Sequence, residues 1–254
     1  VRHPGAVTVA KEGEVIARRI LNHRFTLPGT DATRPINIPS LAEIAEVRRT
    51  IRRLRRLTGR PSPRKESCVA LQRRYRNLGD DRAKKIVAAI FAFAKHHGAH
   101  VVVLEDLKRL RPDSANERGV NDALSRWNRG RIVELARGAA EDAGLRVITV
   151  PAFFTSRVCA RCNAYGVRFD QGGKAREGEA PGAHRTRIDI SHLGHWFFCP
   201  GCGRRVHADL NASENLHRVF LGTFPDVRSV KGSPGVYDVN GRRVDARELE
   251  AVAL

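Results

Sequence analysis

The sequence contains no methionine, few aromatic residues and an acidic complement far smaller than its basic one. Aromatic residues make up 6% of the 254 residues, and 27 Asp and Glu stand against 46 Lys and Arg, a formal net charge of +19. No apolar run reaches the roughly 18 residues of a membrane-spanning helix, and no signal peptide is recognisable. The charge excess indicates a polyanionic partner; a merely basic surface is the alternative interpretation.

Cysteine is also scarce, and four of the five cysteines form two Cys-x-x-Cys pairs. The pairs are Cys159 with Cys162 and Cys199 with Cys202, separated by residues 163–198. Four thiolates complete a tetrahedral Zn²⁺ shell with no open position for water, so the spacing predicts a structural zinc ion rather than a redox pair or a coincidence. The nearby histidines are expected to be surface or supporting residues: His192, His195 and His207.

The N-terminal third is predicted to hold strands and basic helices. Residues 5–21 read as two strands around a turn, and Ser40 begins a helix as its N-cap, with Glu43 completing a capping box. A second basic segment, residues 64–78, is expected to fold back on this helix. A separate amphipathic helix is predicted to start at Asp80 or Asp81 and to end at Gly98.

Arginine is concentrated on the two basic segments. The one-sided charge favours contact with a phosphate backbone, whereas a solvated helix face is the alternative. The arginines predicted to bind nucleic acid are Arg48, Arg49, Arg52, Arg53, Arg55, Arg56, Arg73, Arg74 and Arg76.

Two continuous apolar runs flank a helical segment and predict a β-α-β unit. Glu105 stands at the carboxyl end of the first run, "VVVLE", where sites gather in open α/β sheets. Asp209 stands at the head of the last helix. Taken singly, Glu105 is explained as a solvated acid and Asp209 as an N-cap, with Asn211 or Glu214 stabilising the same turn.

Together the two carboxylates suit Mg²⁺ or Mn²⁺, which prefer oxygen ligands. A pair of such ions can catalyse the hydrolysis of a phosphodiester. Two acidic ligands are few for two ions, and a third is usual on the first strand. Residues 1–11 contain no Asp or Glu. Since the sequence starts at Val1 inside a predicted strand and lacks Met, we expect that its N-terminus was removed or that it is a fragment.

Three segments resemble a known family. "VVVLEDL", "VITVPAFFTSRVCARC" and "FFCPGCGRRVHADLNASENL" are similar to the second and third RuvC motifs, with the intervening zinc ribbon, of TnpB (OrfB) proteins. These are transposon-associated RNA-guided DNA nucleases related to type V CRISPR effectors. The resemblance covers residues 1–220 and the C-terminal part of the family pattern only.

The resemblance implies an α/β, RNase H-like (RuvC) fold: a mixed sheet flanked by helices, with a basic helical-hairpin insertion and an inserted four-cysteine zinc ribbon. It implies that Glu105 and Asp209 are catalytic Mg²⁺ or Mn²⁺ ligands, that a first catalytic Asp falls just before Val1, and that Trp127 anchors a lid formed by residues 111–129. It also implies DNA and a guide RNA as partners, no membrane association, and a bacterial or archaeal cytoplasm near the nucleoid.

The expected organisation has six parts. They are the first RuvC strands in residues 1–40, the basic hairpin in 41–79, the RuvC core in 80–154, the zinc ribbon in 155–206, the last RuvC helix in 207–221 and a loosely ordered tail in 222–254.

The leading hypothesis is an Mg²⁺-dependent, RNA-guided DNA endonuclease whose 254-residue chain is inactive alone. Three alternatives remain: a catalytically dead RNA-guided DNA-binding protein, a transposase that also joins DNA, and a simple zinc-ribbon binder of nucleic acid. The last leaves the strand that ends at Glu105 unexplained.

Overall fold

The structure is a computed structural model of residues 1–254. It describes residues 5–11, 14–21, 23–26, 35–57, 66–106, 129–151, 154–171, 188–190, 194–225, 236–237 and 243–244. Among these residues no helix is both long and apolar enough to cross a bilayer.

A β-hairpin opens the fold, as predicted. Strands β1 (Gly5–Lys11) and β2 (Glu14–Leu21) pair antiparallel, with an irregularity in register between Val9 and Ala10. Val9 and Leu21 are buried in a cluster with aromatic and aliphatic residues of β3 and α2. Two short strands follow, β3 (Arg24–Phe25) and β4 (Ile36–Asn37), which pair antiparallel.

Helix α1 (Leu41–Leu57) begins where the capping residues predict. Ser40 Oγ accepts a hydrogen bond from the backbone N–H of Glu43 at 3.0 Å, which satisfies one of the free donors of the first turn. The helix buries Ile44, Val47 and Ile51 and contacts α2. Its apolar stripe therefore determines which face turns toward the neighbouring helix.

Helix α2 (Glu66–His96) is continuous over 31 residues, so the predicted separate helix beginning at Asp80 or Asp81 is wrong. The two aspartates form ion pairs with Arg131 and with Lys85 and cap no helix. Tertiary packing overrides the helix-breaking tendency of the Gly-Asp-Asp run, because α2 also contacts β1, β4 and the next helix. Whether α1 and the first half of α2 form an insertion stays a prediction.

A parallel β-α-β unit lies next, as predicted. Strand β5 (Val101–Asp106) pairs with β6 (Arg146–Pro151), and Glu105 lies opposite Val150. Helix α3 (Arg129–Ala143) connects them and packs on α2 through a shared apolar cluster that contains Phe91 and Ala136.

The C-terminal part holds an antiparallel sheet and the last long helix. The sheet has the strand order β10-β9-β7-β8, formed by β7 (Val167–Gln171), β8 (Ile188–Ile190), β9 (Trp196–Phe198) and β10 (Arg205–His207). Helix α4 (Ala208–Phe220) follows β10 directly and contacts β1, β2, β5 and β6. A last short pair, β11 (Val236–Tyr237) and β12 (Arg243–Val244), lies in the C-terminal segment expected to be loosely ordered.

The described strands form separate ladders. The β1–β2 and β5–β6 pairs share no backbone hydrogen bonds in the part of the chain that the structure describes, so the single mixed RNase H-like sheet is not confirmed. Helix α4 contacts strands of both ladders.

Candidate active site and metal cluster

The four predicted cysteines come together in one cluster. Their sulfur atoms all lie within 4.8 Å of one another. The Cys159 and Cys202 sulfurs are 3.7 Å apart, and those of Cys162 and Cys199 are 3.4 Å apart. Tetrahedral zinc with Zn–S bonds of about 2.3 Å requires sulfur–sulfur separations of roughly 3.8 Å, so the residues fit such an ion.

Each cysteine pair sits on the same kind of turn. The N–H of Asn163 donates to Cys159 O at 3.0 Å, and the N–H of Gly203 donates to Cys199 O at 2.9 Å. Asn163 has φ 65° and Gly203 has φ 68°, left-handed values that Asn and Gly tolerate best. In each pair, the left-handed residue that follows the second cysteine therefore closes a turn in which both sulfurs face the same point.

The cluster is enclosed by small and aromatic residues. Ala164, Phe197 and Ala208 are buried against the cysteines. Without a cation, the hydrogen bond from Cys199 lowers the pKa of the Cys159 thiol to about 4, and the same bond raises the pKa of Cys199. One thiolate thus forms readily, and a bound cation would ionise the others.

The two candidate carboxylates, Glu105 and Asp209, lie close enough for the charge of Asp209 to affect the pKa of Glu105. Glu105 is partly buried at the end of β5, whereas Asp106 is exposed on the alternate side of the strand. Burial, together with the negative charge of Asp209, raises the pKa of the Glu105 carboxyl to about 7; Arg168 acts in the opposite direction. A pair of mutually repelling carboxylates is stabilised by a cation placed between them.

Asp209 does not cap α4. The N-cap is His207, whose Nδ1 accepts a hydrogen bond from the backbone N–H of Asp209 at 3.2 Å. The capping explanation of Asp209 is therefore wrong. Its carboxylate, with 38% of the side chain exposed, lies in the first turn of the helix, 3.8 Å from His207 Nδ1.

Arg168 is a candidate site residue that the sequence reasoning missed. It lies on β7 of the cysteine-bearing sheet, and its Nε donates to Gly194 O at 2.8 Å. Burial lowers the pKa of its guanidinium, while the charges of Asp209, Asp170 and Glu105 act to keep it protonated. One arginine among 46 basic residues carries no sequence feature that distinguishes it.

Glu214 was expected to stabilise the first turn of α4, and the structure assigns it a different role. Its buried carboxylate accepts hydrogen bonds from Arg204 Nη2 at 2.7 and 2.8 Å and from Arg18 Nη1 at 2.6 Å. One carboxylate thus links β2, the second cysteine turn and α4. Asn211, expected in the same capping role, is fully buried.

The basic residues of α1 and α2 lie largely on the surface. Six of the nine predicted nucleic-acid-binding arginines are exposed, and the other three are partly buried. The exposed ones are Arg49, Arg53, Arg56, Arg73, Arg74 and Arg76. The partly buried ones are Arg48, Arg52 and Arg55.

Comparison with known proteins supports the resemblance. Residues 130–216 match the family model described as the Cas12f1-like TNB domain. The chain is 29% identical over 174 residues to a TnpB-like protein of Aquifex aeolicus, an alignment that covers 67% of this chain and 50% of that protein. The chain is similar to this TnpB-like protein over about two thirds of its length.

Solved structures of C2c1 proteins share the fold of this chain. The chain superposes on a C2c1 protein in complex with sgRNA and extended non-target DNA, with a TM-score of 0.63 and 18% identity, covering 89% of this chain and 26% of that one. It also matches Alicyclobacillus acidoterrestris C2c1 with single-guide RNA, with a TM-score of 0.53 and 21% identity over 78% of this chain and 22% of that one. The chain thus spans half of the curated relative and about a quarter of the C2c1 chains.

Several predicted site residues lie outside the part of the chain that the structure describes. They are Trp127, the lid segment 111–128, His192 and residues 172–187 between the cysteine pairs. The lid and its tryptophan anchor stay predictions.

Proposed function

We propose that the chain is the nuclease part of an RNA-guided DNA endonuclease, with Glu105 and Asp209 as ligands of catalytic Mg²⁺ or Mn²⁺. The observation that carries the proposal is the electrostatic coupling of these two residues, which are more than a hundred positions apart in the chain. The TnpB-like relative and the C2c1 fold match support the same assignment.

The residues of the pair fit divalent cations better than a purely structural role. A partly buried carboxyl whose pKa is raised by burial and by a second carboxylate lowers the stability of the fold when it ionises. Such groups cluster at functional sites. Carboxylate oxygens are the preferred ligands of Mg²⁺. When bound, a pair of such ions would supply an activated water and stabilise the leaving oxygen of a phosphodiester.

The protein's own residues would arrange the substrate and the charges. Glu105 must lose its proton before it can bind a cation, so binding is favoured above about pH 7. Arg168, held by Gly194 O beside both carboxylates, is placed to attract the substrate phosphate. The exposed arginines of α1 and α2 would follow a nucleic acid backbone, and the segment around Trp127 would cover the site.

We propose Zn²⁺ as the occupant of the cysteine cluster. Four thiolates leave no coordination position for water, so the ion would hold the two turns together without taking part in the chemistry. The proposed organisation is a basic helical hairpin in residues 41–79 and a zinc ribbon in residues 155–206, inserted in a RuvC-like domain. A transposase that joins as well as cuts DNA, the remaining alternative for this protein, would use the same residues.

A second candidate function is guided DNA binding without cleavage. Strand β1 contains no acidic residue, so the described chain supplies Glu105 and Asp209 but no third acidic ligand from that strand. We expect the isolated 254-residue chain to cleave DNA weakly or not at all for this reason. Robust Mg²⁺-dependent cleavage by the isolated chain, abolished by Glu105→Ala, would overturn that expectation.

The proposal is tested by cation binding. Titration with Mn²⁺, followed by electron paramagnetic resonance, is expected to show a bound ion that both Glu105→Gln and Asp209→Asn weaken at least tenfold. Asp106→Asn is the matched control, because Asp106 neighbours Glu105 but is exposed on the other side of β5. Equal Mn²⁺ binding by all four proteins would refute the proposed function.

A further inference from the structure

Two buried amides attach α4 to the loop that leads into the first cysteine pair. Asn211 and Asn215, one helical turn apart, are both fully buried. Asn215 Nδ2 donates to Thr155 O at 2.8 Å and to Val158 O at 2.7 Å, and Asn211 Nδ2 donates to the same two oxygens at 3.3 and 2.8 Å. Asn211 Oδ1 also accepts from the backbone N–H of Ala160 at 3.1 Å.

These contacts use the full donor capacity of both amides. A carboxamide has two N–H groups and a carbonyl oxygen has two lone pairs, so four bonds saturate both partners. A buried polar group is stable only when it is satisfied, and a fully satisfied network fixes one geometry. The two asparagines and the loop therefore hold each other in a single arrangement.

The loop is also part of the cysteine cluster. Cys159 lies between Val158 and Ala160, whose backbone groups bond to the amides. Arg218 extends the attachment from the same helix: its Nη1 donates to Asn215 Oδ1 at 3.2 Å and its Nη2 to Asn163 Oδ1 at 2.6 Å. Both ends of the first cysteine turn are thus bonded to α4.

The start of α4 rests on the cluster itself. Ala208, fully buried, packs among the cysteines, and its N–H donates to His195 O at 2.8 Å. Asp209 is the next residue. The helix that carries Asp209 is therefore attached to the cysteine cluster at its first turn and again through Asn211 and Asn215.

We propose that Asn211 and Asn215 are positioning residues that couple ion occupancy of the cysteine cluster to the placement of the Asp209 carboxylate beside Glu105. The cluster then acts on the cation site through α4, beyond stabilising its own turns. The inference rests on the proposed function for its cation-binding consequence, while the coupling of the cluster to α4 is testable without it.

The first test separates positioning from folding. Asn211→Ala and Asn215→Ala are expected to keep one Zn²⁺ per chain and the wild-type far-ultraviolet circular dichroism, while Mn²⁺ affinity falls about tenfold. Ser213→Ala is the matched control: Ser213 lies between the two asparagines but bonds to Thr8 Oγ1 on β1 at 2.5 Å. Mn²⁺ affinity of the asparagine variants within twofold of the control would overturn the proposal.

The second test needs no variant and covers the case in which the variants do not fold. Hydrogen exchange of the 254-residue chain is followed as Zn²⁺ is removed stepwise by a chelator. Amides of Ala208–Phe220 are expected to lose protection in proportion to the zinc removed, whereas those of Val101–Asp106 keep theirs. Unchanged protection of α4, or a uniform loss over both elements, would overturn the coupling.

The two tests also separate this inference from the proposed function. If Mn²⁺ does not bind, and Asp209→Asn behaves like the wild type in the Mn²⁺ titration, the cation site is refuted. The exchange experiment still decides the coupling. If Mn²⁺ binds through Glu105 and Asp209 but α4 is insensitive to zinc, the function stands and the coupling is refuted.

Discussion

At the residue scale, the proton on Glu105 determines how the metal-free site behaves. The carboxyl has a pKa of about 7 because it is partly buried and faces Asp209, against the opposing charge of Arg168. A carboxyl with a raised folded-state pKa stabilises the fold at low pH, and this stability is lost as pH rises through the folded value. The proposed cation would therefore replace a proton on Glu105 near neutral pH.

The stability of the metal-free protein should depend on pH through this group. The free energy of unfolding of Glu105→Gln should be higher than that of the wild type. The difference should grow by about 2 kcal/mol between pH 5.5 and pH 8.5, because only the wild type must bury an ionised carboxylate. Urea denaturation in the presence of a chelator measures it. A constant margin over this range would contradict the raised pKa.

Glu214 should matter more to stability than other ion pairs. Its side chain is 8% exposed and bonds to Arg204 and Arg18, so Glu214→Gln leaves a largely buried guanidinium short of its charge partner. We expect a loss of about 2–4 kcal/mol in the free energy of unfolding. Glu46→Gln, which removes an exposed pair with Arg49, should change it by less than about 0.5 kcal/mol. Equal effects of the two changes would refute the buried network.

At the element scale, the sequence predicted what is local and missed what depends on distant contacts. The Ser40 cap and the cysteine turns follow from residues a few positions apart, and the β-α-β unit follows from the order of two apolar runs and a helical pattern, each of which is local. The continuity of α2 through Gly79 does not, because packing against other elements decides it. Asn215 was missed for the same reason, since an asparagine in a helix does not indicate the loop to which it will bond.

Helix α3 provides a direct comparison of two glycines. Gly138 lies in the helix interior with open space where the methyl group of an alanine would lie, so Gly138→Ala should raise the free energy of unfolding by about 0.5–1 kcal/mol. Gly144, with φ 65°, ends the helix in the left-handed region, so Gly144→Ala should lower it by about 1 kcal/mol. Changes of the same sign in thermal unfolding would contradict the helix boundaries.

At the scale of the whole molecule, the net charge of +19 predicts how the proposed association with nucleic acid depends on salt. Each phosphate neutralised releases counterions, so the logarithm of the affinity for duplex DNA should fall linearly with the logarithm of salt concentration. The sequence establishes this charge, but only the fold shows which arginines it exposes.

Removing two exposed arginines should change that dependence. Arg73→Gln with Arg74→Gln is expected to reduce the salt slope by up to about 2, at roughly 0.9 for each phosphate that the variant no longer neutralises. Lys84→Gln with Lys95→Gln removes the same charge elsewhere on the exposed surface of α2 and should leave the slope nearly unchanged. Equal slopes for the two double variants would show that only the total charge matters and that Arg73 and Arg74 do not belong to a specific binding face.

The central claim is that Glu105 and Asp209 share a divalent cation, and anomalous diffraction from Mn²⁺-soaked crystals tests it most directly. The account predicts an Mn²⁺ peak between the two carboxylates that disappears in Asp209→Asn, with a zinc peak among the four cysteines as the internal reference. A zinc peak without any Mn²⁺ density beside residues 105 and 209 would contradict it.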